Sequence, residues 1–123
     1  MHIDFGLKFD LSEQHIVECT LKWAPEGQER GNNKGCDGGW GWKVMNYIQY
    51  YGVTLENDYP YTLGKDQTLK PCNEDAITSE RFGIKGFKKF IDYIWPESQC
   101  NILDEVLQEG KTIAVSIYIP DGF

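Results

Sequence analysis

Three short blocks constrain what this chain can fold into more than anything else in it. They are Leu11-Ser12-Glu13-Gln14-His15-Ile16-Val17-Glu18-Cys19, then Gly35-Cys36-Asp37-Gly38-Gly39, then Tyr59-Pro60-Tyr61. The first reads as a short helix over 11–20. Ser12 is its N-cap, because a serine hydroxyl can accept an amide of the first turn. Leu11 and Ile16 occupy the two staple positions around that cap, and Ile16 with Cys19 is the expected inward stripe. Residues 21–36 read as a loop, punctuated by Pro25, Gly27, Gly31, Asn32, Asn33 and Gly35.

The second block leads into the strongest helical signal, residues 39–51. Trp40, Val44, Tyr47, Ile48 and Tyr51 recur at helical spacing, with Asp37 as the expected cap and Gly52 as the stop. Core packing accounts for this aromatic stripe, so no cofactor is called for. Residues 53–81 read as mostly irregular, with turn residues at Asn57-Asp58, Pro60, Gly64 and Pro71-Cys72-Asn73. So long an irregular stretch is entropically costly unless tied, and a disulfide at Cys72 would tie it.

Residues 82–94 alternate apolar and polar around Phe82, Ile84, Phe87, Phe90 and Ile91, and predict one or two strands. The single basic cluster, Lys85, Lys88 and Lys89, falls there as a solvated strand edge. Residues 101–109 predict a helix capped by Asn101, with Ile102, Leu103, Val106 and Leu107 as its apolar face and Gly110 as its stop. Residues 112–119 are apolar at nearly every place and predict a strand buried on both faces, ending at the turn Pro120-Asp121-Gly122. The class is α+β.

Composition excludes several functions. A net charge of −7 argues against nucleic acid, which is bound by clustered Lys and Arg. No apolar run reaches the ~20 residues of a membrane span. Met1-His2-Ile3-Asp4-Phe5 has neither a basic nor an apolar targeting region, so no signal peptide is expected unless one lies upstream. A hydrophobic share of 41% points away from disorder, and the length suits about one domain. The four cysteines, at 19, 36, 72 and 100, lack metal-knuckle spacing, so no metal is expected. Two disulfides, with three possible connectivities, and buried thiols both remain open. His15 stands one helical turn before Cys19 and could touch it, but a buried or capping histidine is the reading adopted. Asp104-Glu105 and Glu56 with Asp58 read as a helix first turn and a solvated loop.

Taken together and in this order, the three blocks resemble the middle of a papain-like cysteine protease. Ala114-Val115-Ser116-Ile117 is similar to a strand in the second half of that fold. The resemblance implies residues 1–81 as the remainder of a helical domain after its catalytic helix, and 82–123 as the start of a β-barrel domain. It implies a Cys19–Cys72 disulfide. It also implies Gly38 and Gly39 as a cleft wall pairing with an extended substrate peptide, since a missing Cβ lets another backbone approach. Trp40, Gly41 and Tyr118 resemble the walls of the main specificity pocket.

The family's nucleophile segment, Cys-Gly-Ser-Cys-Trp, is absent, and no downstream His or Asn completes a thiol-protease site. Cys36 therefore lacks its family partner, and no catalytic residue is assigned. Two readings follow. One is a piece of a papain-like endopeptidase whose nucleophile lies upstream and whose His and Asn lie downstream, inactive as this chain alone. The other is a non-catalytic papain-like module that binds peptides or packs in a larger assembly. The expected partners are a peptide or protein substrate of the complete enzyme, or another chain supplying the missing segments. The resemblance implies a lysosomal, vacuolar or secreted location.

Overall fold

Ser12 decides where the first helix begins. In the computed structural model, α1 runs over Glu13–Cys19, and the Ser12 hydroxyl oxygen accepts the His15 amide at 3.0 Å. The same hydroxyl donates to the Tyr59 carbonyl at 2.5 Å, so the cap also anchors a distant loop. Thr20 closes the helix, its amide reaching the Ile16 carbonyl at 3.1 Å and its hydroxyl the same oxygen at 2.7 Å. The structure describes residues 9–21, 33–63, 68–78, 80–89, 97–115, 119–120 and 122.

The buried face of α1 is Gln14, His15, Glu18 and Cys19, with Ile16 only half-buried. The expected Ile16–Cys19 stripe is thus corrected to a mostly polar face. The reason is what α1 packs on: irregular backbone, whose amides need partners that apolar side chains cannot supply.

After the turn Gly35–Asp37, α2 runs over Gly41–Tyr51. Asp37 is not its cap. Gly38 and Gly39 stand between, and the N-cap position is Trp40, which makes no side-chain cap bond. Gly52 ends the helix as expected, at φ 72°, with its amide on the Ile48 carbonyl at 2.9 Å. A side chain there would be strained and would meet Arg81 Cβ at 2.8 Å. The expected aromatic core stripe is only partly inward. Tyr47 and Lys43, one turn apart, form the buried face, whereas Trp40 and Tyr51 are 56% and 51% exposed. Trp40 precedes the helix, which takes its ring out of the helical register.

Residues 53–55 lie between 10–12 and Phe82, joined by two isolated antiparallel bridges, Leu11 to Leu55 and Val53 to Phe82. Val53 and Phe82 exchange both backbone bonds, at 2.9 and 2.8 Å, and the Phe9 ring sits 4.5 Å from that of Phe82. The predicted strands over 82–94 are corrected where they can be seen: among the described residues only Phe82 pairs and 83–89 form no strand, while 90–94, with Phe90 and Ile91, lie outside the described residues. Lys89 is not on a strand edge; its Nζ lies 4.3 Å over the Trp42 ring, a cation–π contact. The described residues of 53–81 are mostly irregular, as expected; the exceptions are the bridged Val53 and Leu55, the helical Leu63 and the turn Glu74–Ala76, and Cys72 ties the stretch to Cys19. Val53, Tyr59, Leu63 and Ile77 join Cys19 and Tyr47 in the core.

The described residues form two compact units, one up to Lys89 and one from 97 on. In the second, α3 spans Glu97–Gln108. It begins a turn earlier than predicted, so Asn101 lies inside it and is not the cap. The missed signal is Pro96 directly before Glu97, since proline is favoured where helices start. Gly110, at φ 73°, ends it as expected: its amide reaches the Leu107 carbonyl at 3.0 Å and the Lys111 amide the Val106 carbonyl at 3.2 Å. That bond pair is a Schellman motif. The strand predicted over 112–119 is corrected where it can be seen. Residues 112–115 pair with nothing among the described residues, and Val115 is 70% exposed. A strand is held by a neighbour's ladder, and apolar character alone does not create one. Residues 116–118 lie outside the described residues.

Candidate functional site

The glycine edge is built by Asn33. Its buried side chain accepts the Trp40 amide on Oδ1 at 2.8 Å and donates from Nδ2 to the Thr20 hydroxyl at 3.1 Å. This bracket ties the edge to the end of α1. The Lys34 amide donates to the Gly38 carbonyl at 2.8 Å, closing the turn that carries Cys36. Gly38 sits at φ 108°, where only glycine is unstrained, and open space surrounds the position of a Cβ. At Gly39 a Cβ would stand 2.6 Å from Asn33 Oδ1, so the missing side chain makes room for the bracket. Both glycines are exposed, and the amide and carbonyl of Gly39 have no hydrogen-bond partner among the described residues. Trp40 is exposed beside them, and Gly41 is open on the Cβ side. An edge with an unpaired donor and acceptor and no side chain can accept an extended backbone. The structure therefore brings Gly38, Gly39, Trp40 and Gly41 together on one segment. Tyr118 lies outside the described residues.

Behind this edge, α1 carries a polar network. The Thr54 amide donates to His15 Nδ1 at 3.2 Å, which leaves the ring proton on Nε2, 3.0 Å from the Tyr47 hydroxyl. Tyr47 donates to Glu74 Oε1 at 3.3 Å, and Arg81 binds Glu74 Oε2 at 2.5 Å. Three residues along α1, Glu18 accepts the Tyr59 hydroxyl on Oε2 at 2.5 Å, and Gln14 Nε2 and the Lys70 amide on Oε1 at 2.6 and 3.2 Å. Gln14 Oε1 accepts the Thr62 and Leu63 amides at 3.0 and 3.3 Å. An open depression of about 530 Å³ lies over Gln14, Glu18, Tyr59 and Cys72, but these polar atoms are already paired within the protein.

The chemistry of this network is structural. Burial, and then the Arg81 charge, hold the His15 pKa below 6.5, with Glu74 opposing them. The Arg81 hydrogen bond holds the Glu74 carboxyl below its usual range. Burial and the bond to Glu18 push the Tyr59 hydroxyl up to about 12, and burial, then Glu74, push Tyr47 up as well, so both remain donors. His15 is fully buried with both nitrogens engaged, Cys19 is in the disulfide, and Cys36 is an exposed free thiol. No free thiol lies beside an imidazole among the described residues: the sulfur nearest His15, that of Cys19, is closed in the disulfide.

A pH dependence follows, with a definite sign. The folded state resists protonating His15, whereas the unfolded chain takes the proton near 6.5. Stability is therefore full above that value and falls as pH drops below it, by at most about 1.4 kcal/mol per unit for one group. Glu74 acts in the same direction at lower pH, its contribution being lost as pH falls through its depressed folded value. Urea midpoints measured from about pH 7 down to about pH 5 should fall, and His15→Gln should flatten that slope. A wild-type midpoint that rises on acidification contradicts this reading.

The spacing rules find the glycines but not Asn33, Gln14, Glu18, Glu74 or Arg81. One signal was present for α1: Gln14 and Glu18 stand one turn apart, on the face that carries Cys19.

Comparison with known proteins bears on family and fold. The model of the papain family of cysteine proteases matches residues 1–121. Cysteine proteinase 1 of Entamoeba histolytica is 44% identical over 84 residues, covering 68% of this chain and 20% of that protein. Cathepsin L 1 of Paramecium tetraurelia is 31% identical over 115 residues, covering 94% of this chain and 30% of that protein. A solved mite-allergen chain, from work on antibody cross-reactivity between Blo t 1 and Der p 1, superimposes with a TM-score of 0.54 at 24% identity. That superposition covers 67% of this chain and 24% of the allergen, and it bears on the fold alone. The chain thus spans between a fifth and a third of the length of these curated relatives.

Proposed function

The chain belongs to the papain family of cysteine proteases, and from that premise we propose that its Gly38–Gly41 edge binds an extended peptide for an endopeptidase. The nucleophilic cysteine and its imidazole partner are supplied by segments other than those in this chain. Residues 1–81 serve as the remainder of the helical domain and residues 82–123 as the beginning of the barrel domain. The observation that carries this reading is the open Gly39 backbone, held in place by Asn33 and unpaired among the described residues. Trp40, Gly41 and Tyr118 wall the specificity pocket. Alone, the chain holds peptide without cleaving it, because His15 is locked away from any thiolate. A disulfide at Cys19–Cys72 fits a lysosomal, vacuolar or secreted setting, since such bonds persist in oxidising compartments.

An N-methyl scan of an extended peptide tests the edge without altering the protein. Methylating the one amide that faces the Gly39 carbonyl should weaken binding by roughly 3- to 10-fold, the value of one hydrogen bond, while its neighbours change little. Equal losses at every position would remove the proposal. The locked histidine also suits a second reading, a non-catalytic papain-like module. A thiol-directed epoxide added to the natural source separates the two: labelling of a polypeptide that contains these residues eliminates the non-catalytic module.

A further inference from the structure

One cluster is left unused by the peptide-binding edge. Donor atoms of His15, Cys19 and Glu74 lie within 4.8 Å of one another. Cys72 is bonded to Cys19, and its sulfur lies 3.4 Å from Glu74 Oε1. A disulfide sulfur has no hydrogen to donate, so that approach is a contact and not a hydrogen bond. While the bond is closed, neither sulfur is a thiolate and the group cannot hold a cation. Opened, the same four residues offer two thiolates, an imidazole and a carboxylate. That is the donor set of a tetrahedral zinc-class ion, with metal–ligand bonds of about 2.0–2.3 Å. Calcium and magnesium prefer all-oxygen shells and are disfavoured here.

We propose that reduction of the Cys19–Cys72 disulfide by a dithiol creates a zinc-class binding site from Cys19, Cys72, His15 and Glu74. In the redox step the dithiol delivers two electrons and two protons to the S–S bond and becomes its own disulfide. The two new thiols then release their protons to solvent as the metal binds. The surroundings already resemble the outer shell of such a site. Arg81 holds Glu74 Oε2, leaving Oε1 toward the sulfurs, and the Thr54 amide and Tyr47 hydroxyl fix the imidazole ring. The ligating nitrogen exchanges one of those two hydrogen bonds for the metal. Entry is from the Cys72–Glu74 side, since Cys72 is half-buried and Glu74 exposed, whereas His15 and Cys19 form the closed floor. Ligands at 15, 19, 72 and 74 match no metal-knuckle spacing, which hides the site from sequence. This inference stands independently of the peptide-binding reading.

The test uses the full chain with Cys36→Ser and Cys100→Ser, so that reduction releases only the two thiols in question. The protein is reduced with a dithiol, desalted without oxygen and titrated with cobalt(II). The reduced form should take up one cobalt with a thiolate-to-metal charge-transfer band, zinc should displace it, and the oxidised form should bind none. Glu74→Ala, shown by circular dichroism to fold when oxidised, should weaken binding more than the roughly 10- to 100-fold loss typical of an outer-shell partner. Metal should also restore helical signal to any reduced chain that has loosened. The proposal is overturned by equal binding in the oxidised form, by a reduced chain that takes no metal, or by binding indifferent to Glu74→Ala.

Discussion

Glu18→Ala should destabilise the chain by about 3–5 kcal/mol, the largest effect expected of any single side chain on α1. The carboxylate is 4% exposed and accepts three donors: the Tyr59 hydroxyl, Gln14 Nε2 and the Lys70 amide. Removing it takes the acceptor from the buried Tyr59 hydroxyl and Gln14 Nε2, and each buried unpaired donor costs about 1–3 kcal/mol, while the exposed Lys70 adds little. Water entering from the depression beside Tyr59 and Cys72 offsets part of the sum. Glu18→Gln keeps an acceptor and should lose less. Urea unfolding measures both, and a loss under about 1 kcal/mol for the alanine variant would show that the network is not a support of the fold.

Replacing Cys19 and Cys72 together by alanine should cost about 4 kcal/mol. The bond closes a span of 53 residues, and the chain-entropy estimate for a loop of that length is roughly that size. The described residues from Val53 to Arg81 have little regular structure of their own, so once the tie is cut their restraint falls to side-chain bonds such as those of Gln14 and Glu18. The denaturation midpoint of the double variant against wild type gives the number. A loss below about 1 kcal/mol would mean that the Gln14 and Glu18 bonds hold the loop without the disulfide.

These two supports differ in how far they were legible. The disulfide followed from family resemblance, and the helix ends at Ser12, Gly52 and Gly110 followed from capping chemistry. The polar inward face of α1 did not, because pattern rules assign Gln, His and Glu to solvent. What reverses the rule is tertiary. The partners of these side chains are backbone amides at Thr54, Thr62, Leu63 and Lys70, remote in sequence and lacking ladders of their own. Over the described parts of the predicted strands, 83–89 and 112–115, no strand forms for a related reason: alternation and apolar runs state a preference, while a strand needs a neighbour that no local window contains. At the candidate site the glycine pair was legible and Asn33 was not. A lone asparagine in a glycine-rich loop gives no spacing signal, yet its side chain, with the Lys34–Gly38 backbone bond, holds Trp40 and the open edge in place.

The central claim is that this papain-family chain presents a peptide-binding edge without a catalytic pair of its own. The most direct test is to titrate an extended peptide into isotopically labelled protein, following the backbone amides and the integrity of the peptide in the same sample. The account predicts that Gly39 shifts most, with Gly38, Trp40 and Gly41 beside it, while the peptide stays intact. Cleavage of the peptide, or shifts confined to residues away from Gly38–Gly41, would contradict it.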